Sequence, residues 1–304
     1  MARVIRRIKK DKFYYLLLSL GFIYFFIYKY VPMAGILIGF KDVSPFMNVS
    51  QMLAAPWVGF KHIRTFVNGL FFWNIMGNTF MISLYSLLFG FPAPIIFALL
   101  MNEIRHTKFK RTVQSISYMP HFLSFVVVAG MVRNLFSPNG GFINQIIMLF
   151  GGEQVFFLGS NKYIRSILVG SSIWKSVGWG TIIYLAAITG IEQEQYEAAT
   201  IDGANRFHKI RYITIPGMMF TISLLLIMQI GTLLDAGFER VFLLYSEATY
   251  QKADIIDTYV FRAGMGRMQY SFASAVGLFK SILSLILVSV ANFGAKKLGQ
   301  EGLW

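Results

Sequence analysis

Six long apolar runs constrain the fold of this chain more than any other feature. A helix that crosses a hydrocarbon core about 30 Å thick needs roughly 20 apolar residues. The runs cover about 13–31, 75–101, 113–132, 164–191, 218–234 and 272–293. Lipid offers no partner for backbone amides, so such runs are expected to be helical. We therefore predict an all-α integral membrane protein with about six transmembrane helices.

The composition agrees with lipid as the main solvent and narrows the function classes. Hydrophobic residues make up 56% of the chain and charged residues 14%, too few to cover a water-soluble fold of this size. The net charge of +14 is grouped in short blocks between apolar runs, which is typical of cytoplasmic membrane loops, so no nucleic acid partner is expected. The sequence has no cysteine and no Walker A, HExxH or calcium-loop motif. We therefore expect no catalysis, metal or cofactor in this chain.

The distribution of Lys and Arg predicts the orientation. Segments 1–12, 102–112, 192–217 and 295–304 together hold 15 Lys and Arg. The predicted outer segments, 29–74, 133–165 and 235–270, are about twice as long in total but hold only 11. Both termini are therefore predicted to be cytoplasmic. The expected organisation is a basic segment 1–12, a transmembrane domain 13–294 and a tail 295–304. The first apolar run resembles a signal peptide but lacks an A-x-A-like cleavage site, so we expect a retained helix.

The predicted cytoplasmic loop 192–217 has an unusual pattern. Acidic residues crowd its start and basic residues its second half, as the helix dipole favours. Good helix formers precede Gly203, which permits a tight turn, and Pro216 and Gly217 are expected to end a second helical piece. Ala198 and Ala199 would give this loop a small-residue face that another protein can approach closely. From the residues alone, a solvated loop without a partner is an equal alternative.

The spacing of this loop resembles the signature of bacterial ABC-importer permeases, which is E-A-A, three residues, G, nine residues, I-x-L-P. The one departure is Ile215 in place of leucine. The resemblance implies a type I importer permease in the bacterial cell membrane that pairs with a second homologous permease. It also implies two cytoplasmic ATPase subunits, which would hold ATP and Mg, and an extracytoplasmic solute-binding protein. The residues that the resemblance assigns to ATPase coupling are Glu197, Ala198, Ala199, Asp202, Gly203, Ile213 and Pro216.

Further segments resemble one carbohydrate branch of these permeases, the LplB-type group related to the MalF-like half of maltose-type importers. They are WVGF at 57–60, GFPAP at 90–94, YMPHF at 118–122 and WKSVGW at 174–179. The resemblance implies import of oligosaccharides, which are acidic in some members. The alternatives are an ABC permease for a non-sugar cargo and an ion-coupled secondary transporter. The latter usually has carboxylates near the midplane, where these runs contain lysines.

Polar residues within the apolar runs are candidates for the substrate path, because charge at membrane depth usually faces the bundle interior. Lys280 is expected to pair with Asp235 or Glu239. Lys175 has no evident partner in this chain. Three roles for it therefore remain as alternatives: a contact with the second permease, a contact with the substrate, and a position on a water-lined wall. Aromatic rings stack on sugar faces, although packing is the common role of such residues. The candidate path residues are Lys175, Trp174, Trp179, Tyr184, Asn78, His121 and Gln229.

The prolines at 92 and 94, within the second apolar run, predict a kink in that helix. The kink would serve either packing or a hinge movement.

Overall fold

The computed structural model describes residues 10–297, and most of the predicted terminal segments lie outside this range. Among the described residues, the only β pairing is an isolated bridge between Lys41 and Trp57, and helices form the rest of the regular structure. The chain divides into two compact units. Within the described range, the first contains residues 10–69 together with Val260–Phe279, and the second contains Leu70–Tyr259 together with residues 280–297.

The first unit is built on α1 (Lys12–Phe40), α2 (Val49–Ala54), α3 (Lys61–Val67) and the first part of α15 (Tyr270–Lys297). Phe66 of α3 is fully buried and contacts the rings of Phe272 and Phe279 edge to face. Gly39 packs directly on α15, where a Cβ would lie 2.9 Å from the amide nitrogen of Ala275. This close approach requires a residue without a side chain. The side chains of α1 are largely exposed, as expected for a helix in lipid or against another chain.

The second unit contains the remaining helices and the rest of α15. They are α4 (Phe72–Glu103), α5 (Thr107–Phe122), α6 (Phe125–Leu135), α7 (Phe142–Leu149), α8 (Ile164–Thr189), α9 (Gln193–Ile201), α10 (Arg206–Gly217), α11 (Met219–Gly231), α12 (Phe238–Leu244), α13 (Tyr250–Ala253) and α14 (Ile256–Phe261), of which the last two residues belong to the first unit. Side chains of five of these helices form its main core, which includes Ile82, Val128, Leu168, Val241 and Ala253.

All six predicted apolar runs are helical. Within residues 10–297, α1, α4 and α15 are long and apolar enough to cross a membrane, and the total is five if the bent pairs α5–α6 and α10–α11 each count as one span. Helix α8 has 26 residues, about 39 Å at 1.5 Å per residue, so it is also long enough, although it is less apolar.

The prediction of one continuous helix over 113–132 is wrong. The chain bends by 104° between α5 and α6. Pro120 lies in the last turn of α5, and the Ser124 hydroxyl accepts a hydrogen bond from the amide of Val127 at 3.3 Å, which caps a new helix. Hydropathy averaged along the sequence does not reveal such a break, because the residues on both sides of it are apolar.

The two prolines of α4 follow a widened, π-helical turn over Ser86–Gly90. Proline removes a backbone donor and crowds the carbonyl four residues earlier, so a wide turn at this point relieves the clash. Helix α4 then continues to Glu103 as one span. The predicted kink coincides with this local widening of the helix, and Ser86 and Gly90 of the widened turn line the cavity described below.

Candidate functional site

The segment Gln193–Gly217, here called the elbow, consists of α9, a tight turn and α10. The amide of Gly203 donates to the carbonyl of Thr200, and the amide of Ala204 donates to that of Ala199 at 2.8 Å. This pair of bonds is the Schellman pattern that ends a helix, with Gly203 in the left-handed conformation at φ 77°. The predicted break at Gly203 and the predicted end of the second piece at Gly217 are confirmed.

Side-chain hydrogen bonds fix the two arms of the elbow to each other. The hydroxyls of Tyr196 and Thr214 lie 2.9 Å apart, and Lys209 donates to Thr200 at 2.7 Å. Asn205 caps the start of α10 by accepting from the amide of His208. Because these bonds cross from α9 to α10, the elbow is held at one angle.

The outer surface of the elbow carries the expected coupling residues. Glu197, Ala198, Asp202, Gly203 and Pro216 are exposed, whereas Ala199 and Ile213 are half-buried. Two apolar side chains on the same elbow were not anticipated, Ile201 at 87% and Phe207 at 73% exposure. The sequence signal for them was present, because each is an apolar residue between two polar neighbours, T and D at 200 and 202 or R and H at 206 and 208. Exposed apolar residues of this kind indicate a protein contact surface.

A cavity of about 740 Å³ lies in the second unit among α4, α8, α11 and α12. Two of the predicted path residues, Tyr184 and Gln229, line it. Hydroxyl groups from α4 and α8, such as Ser86 and Ser176, alternate with apolar side chains such as Phe238 along its wall. This mixture of apolar surface and a few polar groups is typical of sites that bind small organic molecules.

Three predicted path residues form a cluster beside the bend between α5 and α6. Lys175 donates to the carbonyl of His121 at 2.7 Å and lies 5.4 Å from the ring centre of Phe125. The His121 ring stacks on Trp179 with centres 4.5 Å apart. Trp174 lies elsewhere, on a separate apolar pocket of about 480 Å³ between α6 and α8. Phe125 lines the 740 Å³ cavity, whereas Lys175, His121 and Trp179 do not.

Asn78 does not line the cavity. It is 2% exposed, donates to the carbonyl of Asp254 at 3.0 Å and accepts from Arg165 at 2.7 Å. Arg165 also donates to the carbonyl of Lys252. The amide of Asn78 therefore joins α4 and α8 to the segment around α13.

Lys280 pairs with two carboxylates. Its pairing with Asp235 was predicted. Its pairing with Asp257 was not predicted, and the ammonium nitrogen of Lys280 lies 2.7 and 2.8 Å from the two carboxylate oxygens of Asp257. The predicted alternative, Glu239, makes no ion pair within the part of the chain that the structure describes. A second largely buried cation was also missed. Arg240 is 6% exposed and lines the cavity, although the sequence pattern had assigned it to an outer loop.

Several apolar helices, a lined cavity and an exposed helix–glycine–helix elbow together define a multi-pass helical membrane protein of the transport class. Residues 90–300 match the family described as binding-protein-dependent transport system inner membrane component, and the chain belongs to that family. It is accordingly a multi-pass protein of the inner membrane.

The chain is similar over nearly its whole length to two curated relatives and to a chain of a solved structure. It is 46% identical over 297 residues to protein LplB of Bacillus subtilis (strain 168), covering 98% of this chain and 92% of LplB. It is 44% identical over 303 residues to YteP of the same organism, a polygalacturonan/rhamnogalacturonan transport system permease protein, covering 99% and 93%. A chain in the crystal structure of a bacterial ABC transporter involved in import of the acidic polysaccharide alginate superposes with a TM-score of 0.90 at 39% identity, covering 97% and 99%.

Proposed function

We propose that this chain is the permease subunit of an ATP-driven importer of acidic oligosaccharides and forms half of the translocation path. The observation that carries the proposal is the similarity, over nearly full length, to a permease for polygalacturonan and rhamnogalacturonan and to a chain of an alginate importer. Both of those substrates are polymers of uronic acids or contain them. Fold similarity alone would not support a substrate, but these two proteins are also 44% and 39% identical to this chain in sequence.

The chain itself is non-catalytic in this proposal. ATP and Mg belong to two cytoplasmic ATPase subunits, which contact the elbow through Glu197, Ala198, Asp202 and Gly203, with Ala199, Ile213 and Pro216 shaping the surface behind them. The exposed side chains of Ile201 and Phe207 support a protein contact at this place. Since the two arms of the elbow are joined by hydrogen bonds, a movement of the ATPase would be transmitted to α11.

The path is proposed to run along the cavity in the second unit, with a second homologous permease supplying the other half. Tyr184 and Gln229 offer a hydroxyl and an amide to the sugar. Lys175, Trp179 and His121 form a polar and aromatic surface next to Phe125, and we assign them to the path or to the second permease. An extracytoplasmic binding protein would deliver the saccharide to this path, as the family description implies.

Co-purification followed by reconstitution tests this function. The tagged chain is expressed with its neighbouring genes and purified from membranes, and its companions are identified by mass spectrometry. We expect an ATPase and a second permease. In proteoliposomes containing this complex, the binding protein loaded with galacturonate pentasaccharide is expected to stimulate ATP hydrolysis and uptake.

The matched control uses galactose pentasaccharide, which has the same backbone without carboxylates. A complex that responds only to the neutral saccharide would contradict the acidic substrate class. A homo-oligomer without any ATPase would contradict the importer function itself and favour a secondary transporter.

A further inference from the structure

Arg240 is a buried cation without an acidic partner. Its Nε and Nη2 atoms donate to the carbonyl of Ala236 at 3.1 and 2.8 Å, and Nη2 also donates to the hydroxyl of Ser86 at 2.9 Å. No carboxylate lies within ion-pair distance of it among residues 10–297. Buried charges are normally paired, so the remaining donors of this guanidinium need an explanation.

The conformation of Arg240 is built into the chain. The side chain folds back over Gly237, where a Cβ would lie 2.9 Å from its Cδ and 3.0 Å from its Cζ. Gly237 is in the left-handed conformation with φ 82°. This combination holds the guanidinium against α4 on the cavity wall. Its Nη1 atom makes no hydrogen bond to the described residues, and it retains accessible surface on a side chain that lines the cavity.

A second polar group at the same wall also lacks a partner. The Ser83 hydroxyl is buried and makes no hydrogen bond to any described residue, and Ser83 lines the cavity at 4% exposure. Ser83 precedes Ser86 by three residues on α4, so both lie on the same side of that helix. An unsatisfied buried hydroxyl costs free energy unless another molecule bonds to it. Arg240 therefore offers donors to the cavity directly, whereas the Ser83 hydroxyl, which has less than 1 Å² of accessible surface, becomes available to a ligand only when its side chain rotates.

The other charged groups at the cavity do not cancel this arrangement. Asp235 is bound to Lys280. Glu239 is exposed and projects from α12 about 100° away from Arg240 around the helix axis, so solvent screens its charge more than that of the buried guanidinium. We propose that Arg240 and Ser83 form a carboxylate subsite, which binds one uronate group of the saccharide as it crosses the membrane. This inference rests on the proposed function and adds the residues that recognise the charge.

Uptake of galacturonate pentasaccharide by the reconstituted importer, with its binding protein at saturation, tests the subsite. A charge-assisted hydrogen bond to a carboxylate contributes enough that Arg240→Gln is expected to lower the uptake rate by about 10- to 100-fold. Arg240→Lys keeps the charge and should restore a large part of that loss. Ser83→Ala should lower uptake by about three- to tenfold. Glu239→Gln is the neighbouring control, with uptake unchanged or increased.

ATP hydrolysis without saccharide reports whether each complex assembles, so uptake rates are compared only between complexes that hydrolyse ATP. If Arg240→Gln fails to assemble, Ser83→Ala decides, because it removes a hydroxyl that has no partner within the described chain. Wild-type uptake that survives both Arg240→Gln and Ser83→Ala would overturn the subsite and leave the proposed function intact. Absence of galacturonate uptake by the wild-type importer would instead overturn the proposed substrate class.

Discussion

The hydroxyl of Tyr196 lies 2.9 Å from that of Thr214, and this contact joins the two helices of the elbow across 18 residues of chain. Thr214 is buried, with 1% of its surface exposed, and it also donates to the carbonyl of Lys209. A hydrogen bond in a buried position both stabilises the elbow and fixes the angle between α9 and α10.

Tyr196→Phe should loosen the elbow without removing its apolar contacts. A neutral hydrogen bond contributes about 0.5–1.5 kcal/mol, so local opening is expected to increase by about two- to tenfold. Hydrogen exchange of the amides of α10 in the purified complex measures this. Tyr212→Phe is the control, because Tyr212 is 72% exposed. Equal exchange in both variants would show that the Tyr196–Thr214 contact does not hold the arms together.

Gly203→Ala should weaken the turn of the elbow through backbone strain alone. Nothing lies within 4 Å of a Cβ placed at Gly203, but its φ is 77°, a conformation that costs an L-residue about 1–2 kcal/mol. The amides of Gly203 and Ala204 should therefore exchange roughly 5- to 30-fold faster.

Gly77→Ala is the matched control for that substitution. Gly77 lies within α4, has equally open space and has no positive φ. It should leave the elbow unchanged and, if anything, stabilise α4. Loss of transport from both substitutions, with normal exchange in the elbow, would contradict a role for the Gly203 conformation.

Glu197→Lys should abolish saccharide-stimulated ATP hydrolysis while leaving the protein in the membrane. Glu197 is exposed on α9, so reversing its charge would disrupt the proposed contact with the ATPase and not the fold. Glu194→Lys makes the same change one turn earlier and should retain most of the stimulation. Equal loss in both variants would assign coupling to the overall charge of the loop and not to Glu197.

Substitutions in the Lys280 cluster should differ in their effect on thermal stability. Lys280 is 14% exposed and Asp257 25%, whereas Asp235 is 63% exposed. Removing one partner of a buried pair costs about 3–5 kcal/mol, and removing an exposed one about 0–1 kcal/mol. Lys280→Met should therefore lower Tm most, Asp257→Asn next and Asp235→Asn least. A reversed order between the two aspartates would show that Asp235 is the principal partner of Lys280.

The helices were predictable from the sequence because lipid leaves the backbone no other way to satisfy its hydrogen bonds. The break at Ser124 was not predictable in this way, because a hydropathy profile does not reveal a helix cap that lies between two apolar helices. The elbow was also predictable, because Gly203, Pro216 and the charge gradient act locally. The orientation of the termini remains a prediction.

Contacts between distant parts of the chain account for the site residues that were missed. Asp257 and Lys280 are 23 residues apart, and no local pattern joins them. Arg240 follows a positive-φ glycine that folds its side chain inward, whereas its sequence neighbours suggested an outer loop. Asn78 was expected in the path because it is polar at membrane depth. Its amide instead bonds to carbonyls near α13, which only the folded chain brings within reach.

The 60° junction between α10 and α11 determines the direction in which a force on the elbow acts. A push along the axis of α10 has a component along α11 that is smaller than the component across it. Helix α11 is therefore levered sideways more than it is driven lengthwise. Tilting keeps apolar side chains near their depth in the bilayer, whereas sliding would carry one end into water. The geometry favours a rocking movement, which would widen or narrow the cavity beside Gln229.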